Sequence, residues 1–169
     1  SELGKKILSN GIELINDIGF DNFTFKKLGE RIGSNESSVY RYFDNKHKLL
    51  IYLTSWYWGW MEYRLILATV NITDANKKLR TALDIISSDI IEDAGFVHIN
   101  ECLLQQIIIN ESSKSYLTKE VDAENKEGYF LVYKRVVIRI SEMIKEVDSN
   151  YQYPASLAST AVESVLHQN

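Results

Sequence analysis

The sequence predicts an all-α chain, and three observations carry that reading. Only one proline and eight glycines occur among 169 residues, too few breakers for a β-sandwich or barrel, which needs a turn signal about every 8–12 residues. Apolar residues recur at helical rather than alternating spacing from end to end. The composition, 45% hydrophobic and 25% charged, is that of a folded globular chain and not of a disordered or membrane-embedded one. A chain this long buries roughly two-thirds of its unfolded surface and needs no metal or disulfide to hold it together.

The elements follow in order. Ile7, Leu8, Ile12, Ile15 and Ile18 share one face of a first helix, which Gly19 stops. Thr24 is the N-cap of a short second helix burying Phe25, Leu28 and Ile32, and Gly33-Ser34 interrupts it. Asn35 caps a third short helix carrying Val39, Tyr40 and Phe43, and Asp44-Asn45 closes that helix and caps the next. From Lys46 to about Val70, the positions Leu49, Leu53, Trp56, Trp60, Tyr63 and Leu67 step by four and three. This predicts one helix roughly 37 Å long at 1.5 Å per residue, with that stripe inward. After a loop capped by Thr73 or Asp74, a helix buries Leu79, Leu83, Ile86 and Ile90. A break at Asp93-Ala94-Gly95 precedes a helix from His98 to about Ile109, with Ile99, Cys102, Leu103, Gln106 and Ile107 inward. Residues 110–127 read as a ragged helix. Tyr129, Tyr133, Val136, Ile140, Met143 and Val147 then form a heptad-like stripe, and a last helix over about 155–168 carries Ala155, Ala158, Ala161 and Val165.

The net charge of −4 argues against a nucleic-acid partner until its placement is considered. Residues 24–48 carry six basic side chains (Lys26, Lys27, Arg31, Arg41, Lys46 and Lys48) against the acidic Glu30, Glu36 and Asp44. A short basic segment on an acidic body is the asymmetry of a small nucleic-acid module attached to something else. The lone Cys102 forms no internal disulfide, no secretory leader is recognisable, and no apolar run is long enough to span a membrane. A cytoplasmic protein is the expectation.

The layout of residues 24–43, a short helix, a tight turn holding Gly33 and a second short helix, is that of a helix-turn-helix, whose second helix enters the DNA major groove. Phe25, Leu28 and Val39 can set the interhelical angle. Ser37, Ser38, Tyr40 and Arg41 then lie on or beside the face open to DNA, as hydroxyl and guanidinium donors of suitable reach. Lys46 starts the long helix, where its ammonium and free backbone N–H groups can hold a phosphate.

The run Thr24-Phe25-Lys26-Lys27-Leu28-Gly29-Glu30-Arg31-Ile32-Gly33 to Tyr40-Arg41-Tyr42-Phe43-Asp44-Asn45-Lys46, closed by Leu49-Leu50, resembles the DNA-binding domain of TetR/AcrR-type transcriptional regulators. The likeness extends over roughly residues 5–52. It implies a helix-turn-helix domain over 1–47 and a helical ligand-binding and dimerisation domain over 48–169. It places Thr24, Tyr42 and Lys46 on backbone phosphate and Ser38, Tyr40 and Arg41 on the recognition surface, with Lys26 and Ser37 beside them. Ile32, Ser34, Glu36 and Ser37 depart from the family's pattern, which bears on the operator read. The chain stops at Asn169, early for that family, which leaves room for a further stretch of helix.

The resemblance further implies double-stranded DNA, a second copy of the chain and a small-molecule effector as partners, and no cofactor. Candidate effector contacts are Trp56, Trp60, Tyr63, Phe96, Cys102, Gln106, Tyr129 and Tyr133, because the aromatics crowded on the long helix exceed what one face can bury. The 129–147 stripe and the 155–166 helix are the expected dimer surface, as a four-helix interface. An enzyme fits poorly. His98-x-x-Glu101 and Glu163-x-x-x-His167 match neither the spacing nor the order of a di-metal carboxylate bundle, and there is no phosphate-cradling glycine loop. A helical small-molecule or partner-binding module without DNA-binding activity is the alternative.

Overall fold

The structure, a computed structural model, describes residues 1–88, 90, 98–115 and 123–167, with the side chains of 112–127, 129 and 130 left aside. Among the described residues there are eight helices and no strand: α1 Glu2–Ile18, α2 Phe25–Arg31, α3 Glu36–Tyr40, α4 Lys46–Thr69, α5 Ala75–Ser87, α6 Glu101–Ser115, α7 Ala123–Val147 and α8 Pro154–Leu166. The all-α expectation holds. The break expected at Asp93-Ala94-Gly95 and most of the ragged stretch after residue 115 fall outside the described residues.

The chain forms two compact units, Ser1–Tyr57 with Ile90–Lys126, and Trp58–Asp89 with Glu127–Asn169. In the first, α1 packs on α2 and α6, and α2 packs on α3. Ile7, Ile12, Phe23, Leu28, Val39, Leu49, Leu50 and Leu53 are sealed from water at its centre. In the second, α5 packs on α8, and Trp58, Met61, Leu65, Ala82, Val136, Ile140, Ala158 and Val162 form the core. Residues 46–57 of α4 belong to the first unit and 58–69 to the second.

The caps behave as side-chain chemistry dictates. Thr24 Oγ1 accepts from Lys27 N, Asn35 Oδ1 from Ser38 N, Asn45 Oδ1 from Lys48 N, and Asp74 Oδ1 from Lys77 N. Each satisfies an amide that has no partner inside its own helix. The α6 start is later than periodicity suggests, because Asn100 caps it through Leu103 N at 3.0 Å, leaving His98 and Ile99 outside. The third helix is shorter than expected. It ends at Tyr40, and Tyr42 and Phe43 amides both turn back to the Val39 carbonyl.

Three buried faces differ from the expected ones. On α4, Leu49, Leu53 and Trp60 are buried, but Tyr63 and Leu67 are 54% and 57% exposed, while Leu50, Tyr57, Trp58, Met61 and Leu65 are buried instead. The helix is apolar on almost every side, so a three-four stepping can be drawn along more than one line. On α6, Leu104, Ile107 and Ile108 face inward, Cys102 and Leu103 are half-buried, and Gln106 is exposed. On α8, Ala158 is buried with Val162 and Leu166, leaving Ala155 exposed and Ala161 half-buried.

Candidate nucleic-acid interface

The helix-turn-helix lies wholly within the first unit. Its angle is fixed by Leu28 and Val39, both fully buried, with Phe25 almost so. The turn is closed by Ser34 N donating to Gly29 O at 2.8 Å and by Gly33, whose φ of +68° is reached by glycine without a Cβ penalty. Rings continue the packing outward: Phe20 stacks with Phe23, Phe23 meets Phe25 edge-on, and Phe25 meets Tyr40 edge-on at 5.0 Å. The last of these holds Tyr40 on the surface, 51% exposed, at the end of α3.

The eight candidate DNA contacts divide into groups. Ser37, Tyr40 and Arg41 are exposed on α3 and its C-cap. Thr24 and Lys26 are exposed at the start of α2, where the Thr24 oxygen already caps the helix but its hydroxyl hydrogen remains to donate. Ser38 is half-buried, with its hydroxyl donating to Asn35 Oδ1 at 3.1 Å. Tyr42 is exposed, with its hydroxyl hydrogen-bonded to Ser1 Oγ. Lys46 differs. Its ammonium donates to the Phe20, Asp21 and Phe23 carbonyls at 2.9, 3.2 and 3.3 Å.

Electrostatics narrows the basic segment further. Arg31 bridges to Glu13 and Asp17 of α1, both at 2.9 Å, so it pins α2 to α1. The Glu13 hydrogen bond, then that of Asp17, raises its pKa above an already high value. Lys48 pairs with Asp44, and Lys27 donates to the Asn22 carbonyl. Among the described residues of the segment, Lys26 and Arg41 are exposed basic residues whose side chains make no ion pair or hydrogen bond. Thr24, Ser37 and Tyr40 are likewise exposed and carry hydroxyl donors. Sequence reading missed Gly29, where an added Cβ would meet backbone of residues 35 and 36. The signal was a glycine inside an otherwise well-favoured helix, which costs about 1 kcal/mol against alanine and implies a packing reason.

The effector candidates are divided between the two units. Trp56, Cys102 and Gln106 belong to the first unit and Trp60, Tyr63 and Tyr133 to the second, while Phe96 and the Tyr129 side chain lie outside the described residues. Trp60 is buried with the Arg64 guanidinium over its ring, and Tyr133 donates to Glu163 at 2.6 Å. The Cys102 thiol donates to the Ile90 carbonyl. The second unit holds a groove of about 500 Å³ over Ile66, Thr69, Val70, Ile138 and Met143, edged by Lys78, Glu146, Arg135 and Arg139. None of the described candidates lines it. No group of three or more metal-ligating side chains occurs among the described residues, and no described helix is long and apolar enough to cross a membrane.

Comparison with known proteins agrees with this geometry. Residues 7–53 match the family of bacterial regulatory proteins of the tetR type. Over 44 residues the chain is 39% identical to the class G tetracycline repressor protein of Vibrio anguillarum and 36% identical to the class C protein of Escherichia coli. Those matches cover 26% of this chain and only 21% and 20% of the two relatives, so the chain spans about a fifth of their length in the match. Among solved structures, AibR in complex with isovaleryl coenzyme A and operator DNA superposes with a TM-score of 0.70 at 16% identity, over 95% of this chain and 82% of that one. Apo AibR gives 0.67 at 16% identity, over 96% and 83%. These likenesses show the shared fold. The helix-turn-helix at residues 7–53 is therefore similar to that of the tetR family of bacterial regulatory proteins.

Proposed function

We propose that the chain is a DNA-binding transcriptional regulator, a ligand-responsive homodimeric repressor that reads a near-palindromic operator in the cytoplasm. One observation carries this reading: the residues of the family match fold into a helix-turn-helix whose exposed side chains, Thr24, Lys26, Ser37, Tyr40 and Arg41, are hydrogen-bond donors or cations. Arg41 is assigned to a guanine edge or a phosphate, Tyr40 and Ser37 to groove contacts, and Thr24 and Lys26 to the backbone. Residues 1–47 form the reader and 48–169 the body that binds effector and a second copy.

The dimer surface is assigned to the outward faces of α7 and α8. The sequence stripe Val136, Ile140 and Met143 is spent on the chain's own core, whereas Leu131, Ile138 and Leu157 are exposed. Two readers one helical turn apart then require a near-palindromic site. Acyl-coenzyme A thioesters are the effector class to test first, since the similarly folded AibR binds one. An effector that bound two states of the body unequally would act through α4, whose first residues, Lys46 and His47, belong to the reader and the rest to the body. The test is a gel shift with double-stranded DNA flanking the chain's own gene. The expected result is a salt-sensitive complex that prefers one sequence over competitor. Binding that is absent, or indifferent to sequence, overturns the proposal.

A further inference from the structure

We propose that Lys46 is a positioning residue for DNA binding, a clamp on the turn that presents α2, and not a phosphate contact; this rests on the DNA-binding reading above. An ammonium has three donors, and Lys46 directs them at three carbonyl oxygens, those of Phe20, Asp21 and Phe23. A phosphate oxygen could reach this nitrogen only by displacing a carbonyl. The ring of Phe20 adds a further attraction, with the ammonium 4.8 Å from its centroid.

What the clamp holds is the start of the reader. Phe20 and Phe23 are both buried, so the turn is anchored at two points and drawn together between them by the lysine. Thr24 follows Phe23 directly, in extended backbone, and its side chain caps α2. The rings of Phe20, Phe23, Phe25 and Tyr40 then run in succession from the lysine to the surface of α3. Lys46 is also the first residue of α4. It therefore ties that helix to the Thr24 cap by bonds to backbone, which no side-chain substitution in the turn can remove.

The experiment uses the full chain and the flanking-DNA fragment. Lys46→Met keeps the stem and deletes the donors, and Lys46→Arg keeps the charge on a planar fork that cannot meet three converging carbonyls. Under the clamp, both variants bind DNA about tenfold more weakly at every salt concentration, with an unchanged slope of log affinity against log salt. Amides of residues 20–28 exchange with solvent about tenfold faster in the free variants. Thr24→Ala combined with Lys46→Met then loses far less than the product of the two single losses, because the lysine acts through the threonine's position. A general loss of stability would leave that product intact and so overturn the proposal. A slope reduced by about 0.9 in Lys46→Met, with Lys46→Arg behaving as the unaltered chain and exchange unchanged, marks a phosphate contact and overturns it too. If Lys46→Met does not fold, Lys46→Arg alone separates the two roles. Absence of any specific complex with the unaltered chain overturns the DNA reading and this role together, while amide exchange still decides whether the clamp exists.

Discussion

A Cβ placed on Gly29 would lie 2.8 Å from the carbonyl carbon of Asn35 and 2.9 Å from the amide nitrogen of Glu36. The neighbours are backbone, so nothing flexible can yield, and the α2–α3 approach that defines the reader depends on this missing methyl. Gly29→Ala is expected to destabilise the first unit by about 1–3 kcal/mol, the range for inserting a methyl into a packed contact. The gain of about 1 kcal/mol in helix propensity works against that and is outweighed by a backbone clash. Urea unfolding measures it. A Gly29→Ala chain as stable as the parent would show that α2 and α3 are less closely apposed.

Gly33 presents the opposite case. Nothing lies within 4 Å of an added Cβ, but its φ is +68°. Gly33→Ala then costs about 1–2 kcal/mol through backbone strain alone. Gly33→Asn is expected to cost less, since asparagine visits this region more readily. Thermal unfolding of the two variants side by side checks the order. Equal costs would mean that the turn relaxes to negative φ.

These two glycines show what could be read from the sequence and what could not. The Gly33 break was legible because it interrupts a periodic run, and Thr24, Asn35 and, with Thr73 as the alternative, Asp74 were legible as caps because their side chains act on amides three residues away. Local chemistry leaves local marks. The Gly29 contact joins residues six and seven apart across a turn, and the Lys46 cage joins residues more than twenty apart, so neither leaves a periodicity. For the same reason Arg31 counted as one of six available cations, although Glu13 and Asp17 on α1 claim it. The body was least legible. On α4 apolar residues occur on every side, so spacing could not distinguish the buried Tyr57 and Met61 from the exposed Tyr63 and Leu67.

The Arg31 bridges predict a modest, salt-dependent contribution to stability. Its side chain is one-third exposed and those of Glu13 and Asp17 about half, so screening by solvent discounts the pair heavily. Arg31→Gln is expected to cost about 0.5–1 kcal/mol at low salt and less as salt rises. The arginine pKa is raised on folding, so its contribution is complete below the unfolded value and disappears only as pH climbs through the still higher folded one. Near neutral pH the arginine therefore adds no pH dependence. Chemical unfolding at two ionic strengths tests this, and a cost that grows with salt would contradict the ion-pair account.

Arg41 and Lys26 are expected to fail differently when truncated, provided DNA is the partner. Arg41, at the C-cap of α3, is the residue proposed for base edges; Lys26, in the first turn of α2, is the one proposed for the DNA backbone. Arg41→Ala should therefore lose about 1–3 kcal/mol of discrimination between the preferred fragment and a scrambled one. Lys26→Ala should weaken both complexes by a similar factor and lower the salt slope by about 0.9. Titrations of both fragments at several salt concentrations separate the two behaviours. If Lys26→Ala changed sequence preference and Arg41→Ala changed only the slope, then α3 would be lying along the backbone and α2 entering the groove, and the assignment of the reading helix would have to be reversed.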